Sequence, residues 1–238
     1  MEESRHMRRF DFLYNGVSAW DYGVAVTTRP DIPAPQLRGS FVQIAGRDGE
    51  LFETDGTYDN IEIPVQMNYV RAPHKTNEAF RRIKNWLCGH GELTFSDDSE
   101  VFFKVKNVNV TKHERKTKFG ANLEAEFTCD PFTYYHSGKT PKSPEEVRLN
   151  PYYTAQPIYI VTGQGQCELT VNGNTMSFEV VNELRIDTSL MIAFMEGIPE
   201  NQIIEGANYD EMYLLSGENE ISITQGFDLA VIPNWRSR

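Results

Sequence analysis

Asn60–Val70, NIEIPVQMNYV, sets apolar and polar side chains in alternation: Ile61, Ile63, Val65, Met67 and Tyr69 point one way, and Glu62, Gln66 and Asn68 the other. A period of two residues is what a β-strand with one buried face requires. The same period continues downstream. In VFFKVKNVNV, Val101, Phe103 and Val105 share a face before a change of phase brings in Val108 and Val110, which predicts a bulge. Leu123, Ala125, Phe127 and Cys129 then supply a returning strand, so the two runs, joined across HERKTKFG, predict a long hairpin. One segment departs from this pattern. In APHKTNEAFRRIKNWLCGHG, Ala79, Phe80, Ile83, Trp86 and Leu87 recur at helical spacing, the stripe of an amphipathic helix about three turns long. Thr76 or Asn77 is placed to cap its start and Gly89 its end.

His136–Pro151, HSGKTPKSPEEVRLNP, holds three prolines and several turn formers without apolar periodicity, and reads as a linker. Beyond it, PIYIV, CELTV, TMSFEVV, ELRID, LMIAF, EMYLL, EISIT and FDLAVIP are short strand candidates separated by Gly, Asn and Pro. Asn172-Gly173 is the strongest short-range hairpin signal in the chain. Short strands at roughly even spacing predict a β-sandwich. The expected fold is therefore mainly β: a domain over residues 1–136 with one α-helix and a long hairpin, a linker over 137–150, and a sandwich over 151–238.

Composition supports a folded chain: of 238 residues, 39% are hydrophobic and 12% aromatic, so the aromatic poverty of disorder is missing. Cys88, Cys129 and Cys167 are odd in number and contain no C-x-x-C, which argues against a disulfide framework or a zinc site; reduced, buried thiols are expected. MEESRHMRRF carries charge without an apolar h-region, and the longest apolar run, LMIAFM, is far below spanning length. Synthesis in a cytoplasm, without secretion or membrane insertion, is the expectation, and residues 1–6 read as a tag or a disordered extension. The formal charge of -11 is uneven: 17 basic and 20 acidic side chains up to His136 give -3, and 6 against 14 from Ser137 onward give -8. On charge balance the second half repels nucleic acid.

Few residues combine into chemistry. In IAGRDGELFETDGTYDN, Asp48-Gly49 lies between two strand arms, where a type I′ turn needs positive φ at both central residues. Asp48, Glu50, Glu53, Asp55 and Asp59 do not follow the register of a calcium loop, so no metal is expected there. Gly163-Gln164-Gly165 lacks the third glycine and the following helix of a dinucleotide fingerprint and reads as a tight turn. The five histidines, His6, His74, His90, His113 and His136, share no H-x-x-H spacing, and the chain has no G-x-S-x-G, P-loop or zinc-protease helix. Glu124 with Glu126, and Asp97 with Asp98, are paired acids at strand or turn positions expected to face solvent. No enzyme, cofactor or metal follows. Lys104, Lys106, Lys112, Arg115, Lys116 and Lys118 give the long hairpin a basic tip and face. Three readings stand open for it: nucleic-acid binding with Phe102 and Phe103 as stacking partners, a solvated hairpin, or docking on an acidic neighbour.

The order of motifs resembles the distal tail protein (Dit) family of long, non-contractile-tailed bacteriophages. FDFLYNGVSAWDYGVAV, IAGRDGELFETDGTYDNIEIPV, FRRIKNWL, GELTFSDDSEVFFKV and FTCDPFTYY are similar to its N-terminal domain; PIYIVTGQGQCELTVNG, LRIDTSLMIAF, YLLSGENEISITQG and VIPNWR are similar to its C-terminal galectin-like sandwich. The most specific pieces are Gly46-Arg47-Asp48-Gly49, Cys129-Asp130-Pro131-Phe132 and Ser216-Gly217-Glu218-Asn219. The resemblance implies a tail-tube-like ring-forming domain and an outward sandwich, in a structural hub of the virion tail tip made in the host bacterial cytoplasm. It implies a homohexameric ring, single or stacked back to back with a second. Its implied partners are the major tail protein of the tube, baseplate hub proteins and receptor-binding proteins. DNA would pass through the channel without specific binding, and no membrane is involved. Arg47 and Asp48, between Gly46 and Gly49, are expected to position the ring, by pairing locally or across to a neighbour, and Lys112, Arg115, Lys116 and Lys118 to contact an acidic partner. The other function carried forward is a carbohydrate-binding module used in adhesion, with Trp235 or Tyr209 as its exposed aromatic.

Overall fold

The computed structural model describes residues 10–71, 75–195, 197–201 and 204–238, without the side chain of Lys116. The expected N-terminal tag, His6, His74 and the Lys116 contact lie outside that description. The chain divides into two compact units, Met1–Thr133 with Arg238, and Tyr134–Ser237. Among the described residues strands dominate, as alternation predicts.

In the first unit, β1 (Phe12–Tyr14), β2 (Val17–Ser18) and β3 (Val24–Val26) precede a hairpin of β4 (Leu37–Gln43) and β5 (Glu50–Tyr58). Next come β6 (Ile61–Val70), the helix α1 (Thr76–Trp86), β7 (Gly91–Phe95), β8 (Asp98–Thr117) and β9 (Gly120–Tyr135). One sheet runs in the order β2-β1-β7-β8-β9-β6-β3, while β4 and β5 pair only with each other. The alternation in Asn60–Val70 decides which face is dry. Ile61, Ile63, Val65, Met67 and Tyr69 are all buried and lie opposite Cys129, Phe127, Ala125, Leu123 and Ala121 of β9. Each such apolar side chain removed from water stabilises the fold by about 1.5–3 kcal/mol. In β8 the buried positions step from Val105 to Val108 within one strand, where the change of phase was expected.

Helix α1 lies on the dry face. Ile83 and Leu87 are buried, and Trp86 is sandwiched between Phe12, at 5.5 Å, and Tyr22, at 4.5 Å. Its ends differ from expectation: Lys75 occupies the N-cap without a side-chain bond, and Leu87 the C-cap. The Thr76 hydroxyl bonds instead to the Lys118 carbonyl at 3.0 Å, so a tertiary partner has displaced the local cap. At the outer edge β3 covers only Met67–Tyr69 of β6. Pro64, opposite Glu126, sits on the uncovered part, where a residue with no N–H does not interrupt the ladder to β9.

The second unit contains β10 (Leu149–Asn150), β11 (Ile158–Val171), β12 (Asn174–Asp187), β13 (Ile192–Met195), β14 (Ile198–Pro199), β15 (Glu205–Gly206), β16 (Gly217–Glu218), β17 (Ile221–Ile223), β18 (Asp228–Ile232) and β19 (Arg236–Ser237). Asn172 and Gly173 both have positive φ, 51° and 86°, and close β11 on β12 as the expected two-residue turn. Residues 137–150, expected as a linker, carry structure. Lys142 bridges to Val231, a four-residue helix α2 (Pro144–Val147) opens with a Ser143–Glu146 capping box, and Val147 is buried in the core of the unit.

Gly163-Gln164-Gly165 is not a turn. It lies inside β11, opposite Asn182, Val181 and Val180 of β12. The left-handed φ of Gly165, 109°, and of Asn182, 74°, fall where the hairpin changes company: β18 pairs with Ile158–Thr162 and β17 with Leu169–Val171. One long hairpin thereby serves two groups of strands, and four of the short strands read from the sequence fuse into two. At Gly163 a Cβ would collide with the Phe227 ring. Gly163→Ala is therefore expected to cost about 1–3 kcal/mol in urea unfolding, with Gln164→Ala, at an exposed neighbour, close to neutral.

Candidate functional site

The least covered element of the first unit is the β4–β5 hairpin. Its register runs from Gln43 opposite Glu50 to Leu37 opposite Tyr58, with an irregularity between Leu37 and Gly39. Phe41 and Phe52 face each other across it, ring centroids 5.0 Å apart, yet Phe41 is 68% and Phe52 38% exposed. Leu37, Ile44 and Leu51 are exposed as well. A solitary two-stranded hairpin is marginal in water, and the register puts Phe41 and Phe52 on one face of this one and Leu51 on the other.

The tip of this arm corrects the expected type I′ turn at Asp48-Gly49. The connection spans six residues, Ile44–Gly49, and Asp48 is not among the positive-φ residues. The Arg47 N–H bonds to the Ile44 carbonyl at 3.1 Å, with Gly46 at φ 79°. Positive φ at the third of four residues is the type II pattern, which explains a glycine at 46; Gly49, at φ 76°, reverses the chain into β5. Arg47 and Asp48 are held at the tip, exposed, and have no ion pair among the described residues, so the local pairing considered for them is not made.

The basic hairpin is longer than expected, because HERKTKFG belongs mostly to the strands: β8 continues to Thr117, leaving Lys118-Phe119 as the turn. That turn is anchored. The Arg71 N–H donates to the Phe119 carbonyl at 2.6 Å, the Thr76 hydroxyl holds the Lys118 carbonyl, and the Phe119 N–H meets the Thr117 hydroxyl at 3.2 Å. Phe119 is 48% exposed, with the Lys118 ammonium 5.3 Å from its ring centroid. Lys112, Arg115 and Lys118 are exposed. Lys106 is spent locally, on Asp130 at 2.7 Å and Asn60 at 2.8 Å. The stacking reading fails on burial: Phe102 and Phe103 are 3% and 5% exposed and cannot receive bases.

Other candidate groups serve structure. Cys129 and Cys167 are buried, and burial pushes the Cys129 thiol up to about 12, away from nucleophilic use. Cys88, expected inside, is exposed, its Sγ at 2.9 Å from the Asn85 carbonyl. Of the aromatics considered for a sugar site, Trp235 is buried, and half-buried Tyr209 donates its hydroxyl to Asn201. Asn219 of the Ser216–Asn219 motif is a buried polar knot. It accepts from the Leu215 N–H and the Asn172 amide and donates to the Leu215 and Gly217 carbonyls, all within 3.1 Å. In the Cys129–Phe132 motif, Asp130 pairs with Lys106 and Phe132 packs edge-on against Tyr58 at 5.7 Å. No group of His, Cys, Asp or Glu able to hold a metal occurs among the described residues. None of their helices is long and apolar enough to cross a membrane.

These features describe a mainly β chain whose most prominent surfaces are an apolar arm and a cationic hairpin end. Its fold is similar to that of the crystal structure of the SPP1 Dit protein (gp 19.1), at a TM-score of 0.64 and 17% sequence identity, over 97% of this chain and 99% of that one. That protein is described as a paradigm of the hub adsorption apparatus in phages infecting Gram-positive bacteria. No protein-family model and no curated protein sequence matches the chain. The resemblance read from the motif order is thus met at the level of fold.

One titratable group fastens α1 to the hairpin near its tip. The His113 ring stacks on Phe80 of α1, centroids 3.6 Å apart, and its Nε2 shares a hydrogen bond of 2.8 Å with the Tyr69 hydroxyl. Burial, and then the Arg115 charge, lower its pKa from the ordinary 6.5, so the folded chain holds it neutral. As pH falls through the unfolded value of 6.5, the unfolded chain takes up a proton that the native one refuses, and stability declines until the native imidazole also protonates. Thermal melts from pH 8 downward are expected to show this loss, and His113→Phe to flatten it where it sets in, below about pH 6.5.

Proposed function

We propose that the chain is a structural subunit of a phage tail tip, assembling through its first unit into a six-membered ring between the tail tube and the baseplate or adsorption proteins. The observation that carries this is the β4–β5 arm: exposed apolar side chains on both of its faces, outside the sheet of their own unit, on a fold similar to that of an adsorption hub. An arm of this kind gains stability when a neighbouring copy covers it, and six copies in a closed ring cover all six arms. Arg47 and Asp48, unpaired at its end, then act across the subunit boundary. The hairpin end bearing Lys112, Arg115, Lys116 and Lys118 supplies a second contact, to an acidic surface of a neighbour or of a baseplate partner. DNA passes through the ring without being bound, and the chain performs no catalysis. The two units correspond to a ring-forming domain and a β-sandwich domain.

Native mass spectrometry over a concentration series, with negative-stain images of the largest species, tests the reading. Hexamers, or pairs of hexamers, with a central hole are expected. Phe41→Ser combined with Phe52→Ser is expected to weaken assembly about tenfold or more while leaving the melting temperature of the subunit nearly unchanged, since both side chains are exposed. Arg115→Glu combined with Lys118→Glu is expected to weaken it too. Assembly indifferent to both pairs of changes, or a subunit that stays monomeric even with the major tail protein added, rules the ring out.

A further inference from the structure

At the end of the first unit where β8 turns into β9, two large apolar side chains stay in water. Val70, the last residue of β6, is 68% exposed and lies opposite Gly120, which offers no side chain to cover it. Phe119 precedes that glycine in the turn and is exposed too, and the bond from the Arg71 N–H to the Phe119 carbonyl brings the end of β6 against the turn. Along β6 the side chains that alternate with the buried row include Glu62, Gln66 and Asn68, so an exposed valine breaks with the polar groups that its own face carries.

Cations gather at the same end. The Lys118 ammonium lies 5.3 Å from the Phe119 ring centroid, the Arg115 charge acts on His113 and Tyr69, and Lys75 directly precedes Thr76, whose hydroxyl holds the Lys118 carbonyl. All three are exposed and form no ion pair among the described residues. Arg71 adds a fixed positive charge, its guanidinium spent on the Tyr22 and Val70 carbonyls at 2.5 and 2.7 Å. Against them stand Glu78, in the first turn of α1, and Glu114, which accepts from the Asn122 amide at 3.5 Å. Lys112 and Glu124, further along the ladder, line one hollow and offset each other. In a chain of net charge -11, this end of the sheet is positive.

We propose that the hairpin end is a docking site for an acidic protein segment that carries a large apolar side chain between its carboxylates. This deepens the contact with an acidic surface assigned above to the hairpin end, and rests on that reading. Charge and apolar surface together select the occupant. Unpaired cations attract anions of any kind. A nucleic acid would supply them, but its phosphates would leave Val70 in water, and the Lys118 ammonium already lies over the Phe119 ring that a base would need. An apolar residue flanked by Asp or Glu covers Val70 and Phe119 while its neighbours meet Lys75, Arg115 and Lys118.

Fluorescence anisotropy of the full chain with a labelled peptide of Glu and Asp around a central Leu-Phe pair, beside the same peptide with Ser-Ser at its centre and a short DNA duplex, tests this. The Leu-Phe peptide is expected to bind saturably and about tenfold or more tighter than either control. Phe119→Ser, Val70→Ser, and Arg115→Glu combined with Lys118→Glu are each expected to weaken it by about tenfold. DNA bound as tightly as the peptide assigns the surface to polyanions at large, and peptide binding unmoved by both Phe119→Ser and Val70→Ser removes it from the hairpin end; either result overturns the proposal, as does the lack of saturable binding. So does self-association of the parent that falls with Phe119→Ser while no peptide binds, which gives the site to a second copy. Should Phe119→Ser disturb the turn, Val70→Ser decides alone, since that side chain caps a strand and is exposed. The two readings separate cleanly. Peptide binding that obeys these variants in a chain that never forms a six-membered species dismisses the ring alone, while hexamers whose subunits ignore the peptide dismiss the docking site alone.

Discussion

The fold of the first unit depends on one constraint, the exclusion of water from a single face of the β6–β9 ladder. Five alternate side chains of β6 and their five partners on β9 form a dry plane, which helix α1 covers and the other strands of that sheet extend. Helix α1 covers it because its stripe supplies Ile83 and Leu87, and Trp86 between Phe12 and Tyr22 completes the cover. A slip of β6 by one residue would turn Glu62, Gln66 and Asn68 inward and five apolar side chains outward, so the pattern that defines the strand also forbids its alternatives.

The same rule makes the uncovered places informative. β4 and β5 pair only with each other, and Leu37, Phe41, Leu51 and Phe52 between them stay exposed. In the second unit Ile158, Ile160, Ile192 and Phe194 are only half-buried. Large apolar side chains left open to water set these places apart from the β6–β9 ladder.

Much of this was legible in the sequence where a local rule had no competitor. The period of two in Asn60–Val70, the stripe of α1 and the Asn172-Gly173 turn needed only neighbours in the chain. Expectations failed where a distant residue decided. Thr76 gave up its capping role to the carbonyl of Lys118, and Gly163 is a glycine because Phe227 crosses it. PIYIV and CELTV looked like two strands because glycine usually marks an end, yet here it lets one strand swing from β18 to β17. EMYLL read as a strand, but Asn208 and Glu211 form a capping box around a short 3-10 turn. The candidate contact residues were legible as charge and as glycine spacing. That Phe41 and Phe52 lie uncovered was not, because alternation cannot tell a face that meets a core from one that meets nothing.

The anchored turn at Lys118-Phe119 has a consequence for whatever it touches. Three hydrogen bonds, to the Arg71 N–H, the Thr76 hydroxyl and the Thr117 hydroxyl, hold its backbone in the isolated chain, and the Lys118 ammonium rests over the Phe119 ring. A loop that had to be ordered on contact would surrender roughly 1–2 kcal/mol of backbone entropy per residue at that moment. Here the ordering is complete before any encounter, so a surface that docked on the hairpin end would meet it preorganised, and little of the attraction between them would be spent on ordering the turn.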